Sequence, residues 1–204
     1  MLNRRALPIL PFLAGPALAQ PAAPLGNWSW KVMRQGTQIG THVVRITARG
    51  AERVAQSDVS VTPRVLGVVV YRFEHRYAEV TQEGRFRRVS SHLNRNGTVV
   101  DIEARAEEDA VMLRGPEGVV RLPANAAPLS WWEPRRLGGA VPIFGTTTGR
   151  LMELRWQRIA RAGGGFAWRT TGEVEAECSF GPEGVWDGFS TKGDDGSLVS
   201  YERT

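Results

Sequence analysis

Three histidines, His42, His75 and His92, are the whole imidazole complement of this 204-residue chain, and imidazole is both a general base and the commonest metal ligand. Alternation sets His42 with Val44 and Ile46, and His75 with Phe73 and Tyr77, so at least these two are expected to point inward. Three imidazoles converging inside a barrel would suit a transition metal, with Glu79, on the face of His75, as a fourth ligand. Their sequence spacing is long and no supporting pattern accompanies them. Hydrogen-bonded histidines at a strand or barrel rim are therefore the simpler reading, and no metal site is assigned.

Glu173, Glu175 and Glu177 recur at every second residue, about 6.8 Å apart if on one strand face, which is within the carboxylate spacing of glycosidases. A catalytic pair needs unequal environments, whereas three glutamates opposite an apolar stripe read as a wet face. Ser91-His92 puts a nucleophile beside a base, but strand neighbours point to opposite faces and no G-x-S-x-G elbow occurs. Gly145-Thr146-Thr147-Thr148-Gly149 lacks the lysine of a phosphate loop, and Asp194-Asp195-Gly196 lacks the alternating acids of a calcium loop. Cys178, the single cysteine, shares an apolar face with Ala176 and Phe180, so neither a disulfide nor a cysteine zinc site is available. No catalytic residue and no cofactor is assigned.

The segment Trp131 to Arg136 is the best functional candidate. Trp131 and Trp132 offer flat amphipathic area, and Arg135 and Arg136 offer forked donors for a carboxylate or phosphate. Together with the inward-facing His75 and Tyr77, they are the expected contacts of a small apolar or anionic amphiphilic ligand at a barrel mouth. The plain alternative is that one tryptophan plugs the barrel and the arginines are solvated.

Strands must position these residues, because period-two alternation recurs along the chain and helical periodicity is nearly absent. Trp28, Trp30 and Val32 share one face, and Gln35-Gly36 turns the chain toward a strand over 39–48. Strands are also expected over 57–62, 69–77, 100–106, 111–113, 119–122 and 152–156, and one opens at Arg85. A Gly163-Gly164-Gly165 turn leads into a run from Phe166 to Phe180, and the last strands cover 185–191 and 198–201. Asn96-Gly97 is the strongest hairpin signal. About ten short strands at this spacing predict an all-β antiparallel meander forming a single barrel or a strongly curved half-barrel sheet. The exception is Ala124 to Gly149, a long loop rich in Pro, Gly and Ala, where Glu133-Pro134 starts at most one short helical turn.

Residues 1–19 read as a signal peptide: Arg4-Arg5, an apolar stretch from Ala6 to Ala14, then Ala17-Leu18-Ala19 for cleavage. The arginine pair followed by Leu7 resembles a twin-arginine signal. Residues 20–26 are expected to form a flexible start and residues 27–204 a single β-barrel-like domain, periplasmic or secreted. Of 26 basic residues, all but Lys31 and Lys192 are arginine, dispersed among the 21 acids. That pattern suits a solvated surface and excludes a nucleic-acid partner, which would need a positive stripe. No apolar run reaches the roughly 18 residues of a spanning helix. In an outer-membrane barrel, burying the aromatic face would aim Arg72, Glu74 and Arg76 at lipid.

The export signal, Ile39-Gly40-Thr41-His42, Tyr71-Arg72-Phe73-Glu74-His75-Arg76, Ser91-His92-Leu93-Asn94, Trp131-Trp132-Glu133-Pro134 and the closing 195–201 motif occur in one order. Together they resemble a family of exported bacterial all-β proteins catalogued only as a domain of unknown function. The resemblance covers nearly all of residues 27–203 and implies an exported all-β domain, with no activity, substrate or site residues to transfer. Three functions are weighed. A non-catalytic binding protein, with the Trp131 segment as rim or lid, follows from architecture without catalytic chemistry. An envelope structural or interaction module would use an exposed edge, and a metal-dependent or carboxylate-based hydrolase would need the histidines or the paired carboxylates.

Overall fold

The structure is a computed structural model that describes residues 22–193 and 195–204. The proposed signal peptide lies outside the described residues. Of the expected flexible start, Ala23 is buried and its carbonyl accepts a hydrogen bond from Arg53.

Alternation becomes strands because every second side chain finds an apolar neighbour on the adjoining strand. The first half comprises β1 (Gly26–Arg34), β2 (Thr37–Arg49), β3 (Glu52–Val61), β4 (Arg64–Val65), β5 (Val68–Val69) and β6 (Phe73–Gln82). It continues through β7 (Arg85–Arg95), β8 (Thr98–Ala106), β9 (Ala110–Gly115) and β10 (Gly118–Pro123). After the long segment, which holds β11 (Ala127–Pro128) and β12 (Ile143–Phe144), come β13 (Leu154–Ala160), β14 (Phe166–Gly172), β15 (Ala176–Phe180), β16 (Trp186–Lys192) and β17 (Leu198–Arg203).

Thirteen of these form one antiparallel sheet in the order β10-β9-β8-β7-β6-β3-β2-β1-β17-β16-β15-β14-β13. Two meanders thus meet at a seam where β1 pairs with β17, from Trp30↔Arg203 to Arg34↔Val199. β10 and β13 end the sheet without pairing to each other, so it is the curved half-barrel and not the closed barrel. Register rows show the sorting of faces. Trp28, Val44, Ser57, Tyr77, Ser91 and Ile102 lie side by side across six strands, and all are buried. On the opposite face Asp58, Arg76, His92 and Asp101 form a charged row, with Arg76 to Asp58 at 3.2 Å and His92 to Asp101 at 2.6 Å.

Two expected strands are divided. The run from Phe166 to Phe180 is a hairpin, because Gly172 takes φ +110° and its Cα lies against the Glu153 carbonyl, where a Cβ would meet that oxygen at 2.3 Å. Glu173 and Glu175 consequently lie in the connection and only Glu177 lies in a strand. They pair separately, with Arg150, Lys192 and Arg169. The strand expected over 69–77 begins instead at Phe73, after the small β4–β5 hairpin.

The segment from 124 to 149 threads the concave side of the sheet. β11 and β12 pair in parallel, Pro134–Arg136 makes the expected single 3-10 turn, and Trp132, Leu137 and Phe144 are buried. A glycine is required at 138, where φ is +77° and a Cβ would lie 2.4 Å from the Trp168 ring.

Candidate functional site

On the concave side, beside the threaded segment, the sheet leaves a cavity of about 860 Å³, within the size range of small-molecule sites. Its wall draws on β1, β2, β3 and β6 on one flank, β16 and β17 on the other, and residues 129–132 and 145–147 of the inner segment. Aromatic rings dominate. His75 stacks on Tyr77 at 5.1 Å and Tyr77 on Trp132 at 5.1 Å, while Trp131 lies 5.0 Å from Phe189, which lies 4.9 Å from Tyr201. Val32, Val59, Val61 and Val199 supply aliphatic wall between them.

Two buried imidazoles lie in this apolar surface, each held the same way. His42 is level with Val59 on the next strand and its Nε2 reaches back 2.8 Å to Ser57; His75 is level with Leu93 and its Nε2 reaches back 2.9 Å to Ser91. Ser91 donates its hydroxyl proton to the Thr146 carbonyl at 2.7 Å, so in the 2.9 Å contact the imidazole N–H must donate. His75 therefore carries a proton on Nε2, and Ser91 is not activated as a nucleophile, because its proton points away from the ring. Burial lowers the pKa of His42 to about 3 and that of His75 to about 4, with the His42–His75 repulsion adding to the effect on His42. The Thr146 backbone, the second influence on His75, opposes burial there. His42 Nδ1 has no partner in the protein among the described residues.

The histidines do not converge. His92 points to the outer face and bonds Asp101, while Val59 lies between the strands of His42 and His75. Glu79, weighed as a fourth metal ligand, faces Arg136 as an ion pair and accepts a 2.5 Å hydrogen bond from Ser130. Among the described residues no group of three His, Cys, Asp or Glu side chains is close enough to hold a metal ion.

Of the six residues expected at a ligand, Trp131, Trp132, His75 and Tyr77 share the cavity wall. Arg135 and Arg136 are not on it. Arg136 is only 5% exposed and is spent on Glu79, since a carboxylate buried in the sheet requires a counter-charge. Arg135 instead clasps Glu133 at 2.9 and 3.2 Å. The cations at the mouth are others: Arg34, paired with Asp195; Lys192, paired with Glu175; and Arg95, 5.4 Å above the Phe73 ring. Arg95 makes no ion pair among the described residues. It shares strand parity with Ser91 and Leu93, a signal legible in the sequence but passed over. Phe189 and Tyr201 reach the wall only because β17 pairs with β1 across the seam and carries β16 beside it.

The fold is similar to that of a crystallised beta-barrel-like protein of the domain of unknown function DUF1849 from Brucella abortus. The TM-score is 0.58 at 8% identity, covering 87% of this chain and 94% of that one. No curated protein matches. The family described as Domain of unknown function (DUF6134) matches residues 30–204, and over that extent, the sheet and the cavity wall together, the chain belongs to this family.

Proposed function

We propose that this is an exported, non-catalytic binding protein whose cavity holds an amphiphilic ligand, with the apolar body among the aromatic rings and an anionic head at the mouth. The observation that carries this reading is the cavity itself, about 860 Å³ of mainly apolar wall with Arg34, Arg95 and Lys192 at its edge. Neutral imidazoles suit such an interior because they supply hydrogen bonds without a buried charge. Export rests on Arg4-Arg5, the apolar stretch and the Ala17-Leu18-Ala19 cleavage site, and it makes the periplasm or the exterior the place of action.

Native mass spectrometry of protein purified from its own envelope fraction tests the reading. The expected result is a chain beginning at Gln20 with one bound small molecule. Titration with a fluorescent polyene fatty acid and its methyl ester then separates head from body. Saturable binding of both is expected, tighter for the acid, and Arg95→Gln should weaken the acid several-fold while leaving the ester unchanged. Val59→Trp, which fills the floor between the histidines, should abolish both while circular dichroism is retained. A native spectrum free of bound molecules together with unsaturable titrations would refute the proposal.

A further inference from the structure

The hairpin of β4 and β5 stands at the cavity mouth and carries an apolar tip that folding does not account for. Four hairpins of this chain turn on a residue-glycine pair with positive φ at both positions: Gln35-Gly36, Leu66-Gly67, Glu83-Gly84 and Asn96-Gly97. Three of the four place a polar residue first, as this turn geometry prefers. The fourth places Leu66 there at φ +50°, a conformation costly for a bulky side chain, and leaves it 99% exposed. Val65, Val68 and Val70 beside it are 58%, 65% and 57% exposed. Residues 62–72 contain Arg64 and Arg72 and no acid. Arg64 donates to the Gly67 carbonyl at 2.9 Å, which keeps its charge beside the tip.

We propose that this hairpin docks the protein on an anionic phospholipid bilayer. An apolar tip flanked by Arg64 and by Arg72, the latter 3.7 Å from Glu74, matches a surface whose interior is apolar and whose headgroups are negative. The tip is a two-residue turn between two-residue strands, far below the roughly 800 Å² per partner of a stable protein interface, whereas insertion between lipids needs no complementary partner. Val65 and Val70 also line the cavity while Leu66 does not, so docking presses the mouth against the bilayer. The docking rests on the hairpin alone; direct exchange of the ligand with the bilayer follows only if the binding reading above holds.

The test uses the mature chain with Leu66→Cys labelled by an environment-sensitive fluorophore, since the native Cys178 is fully buried. Vesicles of phosphatidylglycerol should raise and blue-shift the emission, and vesicles of phosphatidylcholine should do so far less. In flotation, Leu66→Asn, which suits the turn, should lower the fraction bound to phosphatidylglycerol vesicles at least about tenfold, the loss expected for exposing one buried leucine. Arg64→Gln together with Arg72→Gln should remove most of the preference for the anionic vesicles. Fatty-acid binding in the absence of vesicles should be the same for Leu66→Asn and wild type, so a failed cavity and a failed docking tip give different results. No wild-type flotation with phosphatidylglycerol, or equal flotation of Leu66→Asn, overturns the proposal.

Discussion

At the scale of single residues, His42 and His75 set how this protein responds to acid. Both are neutral in the fold, with pKa values lowered to about 3 and about 4 by burial, but each accepts a proton near 6.5 when the chain unfolds. Between those values the unfolded chain binds more protons, so stability rises with pH. The stability present above pH 6.5 is lost as pH falls through 6.5 toward 4 and 3, at up to about 1.4 kcal/mol per pH unit for each histidine. Urea midpoints measured from pH 7.5 to 4.5 should show this slope, and His42→Gln with His75→Gln should flatten it. An unchanged slope in the double variant would mean that carboxylates alone govern the acid limb.

The inner segment is an element held by one charged contact. Glu79 on β6 meets Arg136 at the end of the 3-10 turn, both buried, and Ser130 closes the arrangement by donating to Glu79 at 2.5 Å. Glu79→Gln keeps an oxygen for Ser130 but strands the guanidinium in the interior. Either Glu79→Gln or Arg136→Met alone should therefore cost about 3 to 5 kcal/mol, and the double variant Glu79→Gln with Arg136→Met clearly less than the sum. A double-mutant cycle by chemical denaturation measures the coupling, and simple additivity would show that the segment is held by Trp132, Leu137 and Phe144 instead. Because Trp131 and Trp132 ride on this segment, the pair also places both tryptophans of the cavity wall.

The whole molecule depends on the seam between its first and last strands. β1 and β17 join an eight-stranded meander to a five-stranded one, and Tyr201 and Val199 bring the second meander to the cavity. Deleting residues 198–204 would expose β1 and β16 as two new unpaired edges and open the wall, since exposed strand edges invite association. The truncated chain should lose its cooperative thermal transition and its near-ultraviolet aromatic signal, with aggregation in sedimentation. Retention of both signals would show that the two meanders fold independently.

Much of this protein is set by local alternation. The faces of β1, β2, β3, β6, β7 and β8, the inward course of His42, His75 and Tyr77, the turn at Asn96-Gly97 and the short helical turn after Glu133 are all legible in the chain, because a pleated strand imposes its period of two on any sequence that forms it. The break at Gly172 was not, since its cause is the carbonyl of Glu153, the residue just before β13, nineteen positions away in the chain. Nor could alternation reveal that Arg136 would neutralise Glu79 or that Leu66 would project at the cavity's rim, whereas the side of β7 that carries Arg95 follows from its parity with Ser91 and Leu93. Whether the sheet closes depends on twist summed over thirteen strands, and the path of a loop depends on which distant surface it fits. Neither quantity is periodic in the sequence, so the tertiary structure alone decided them.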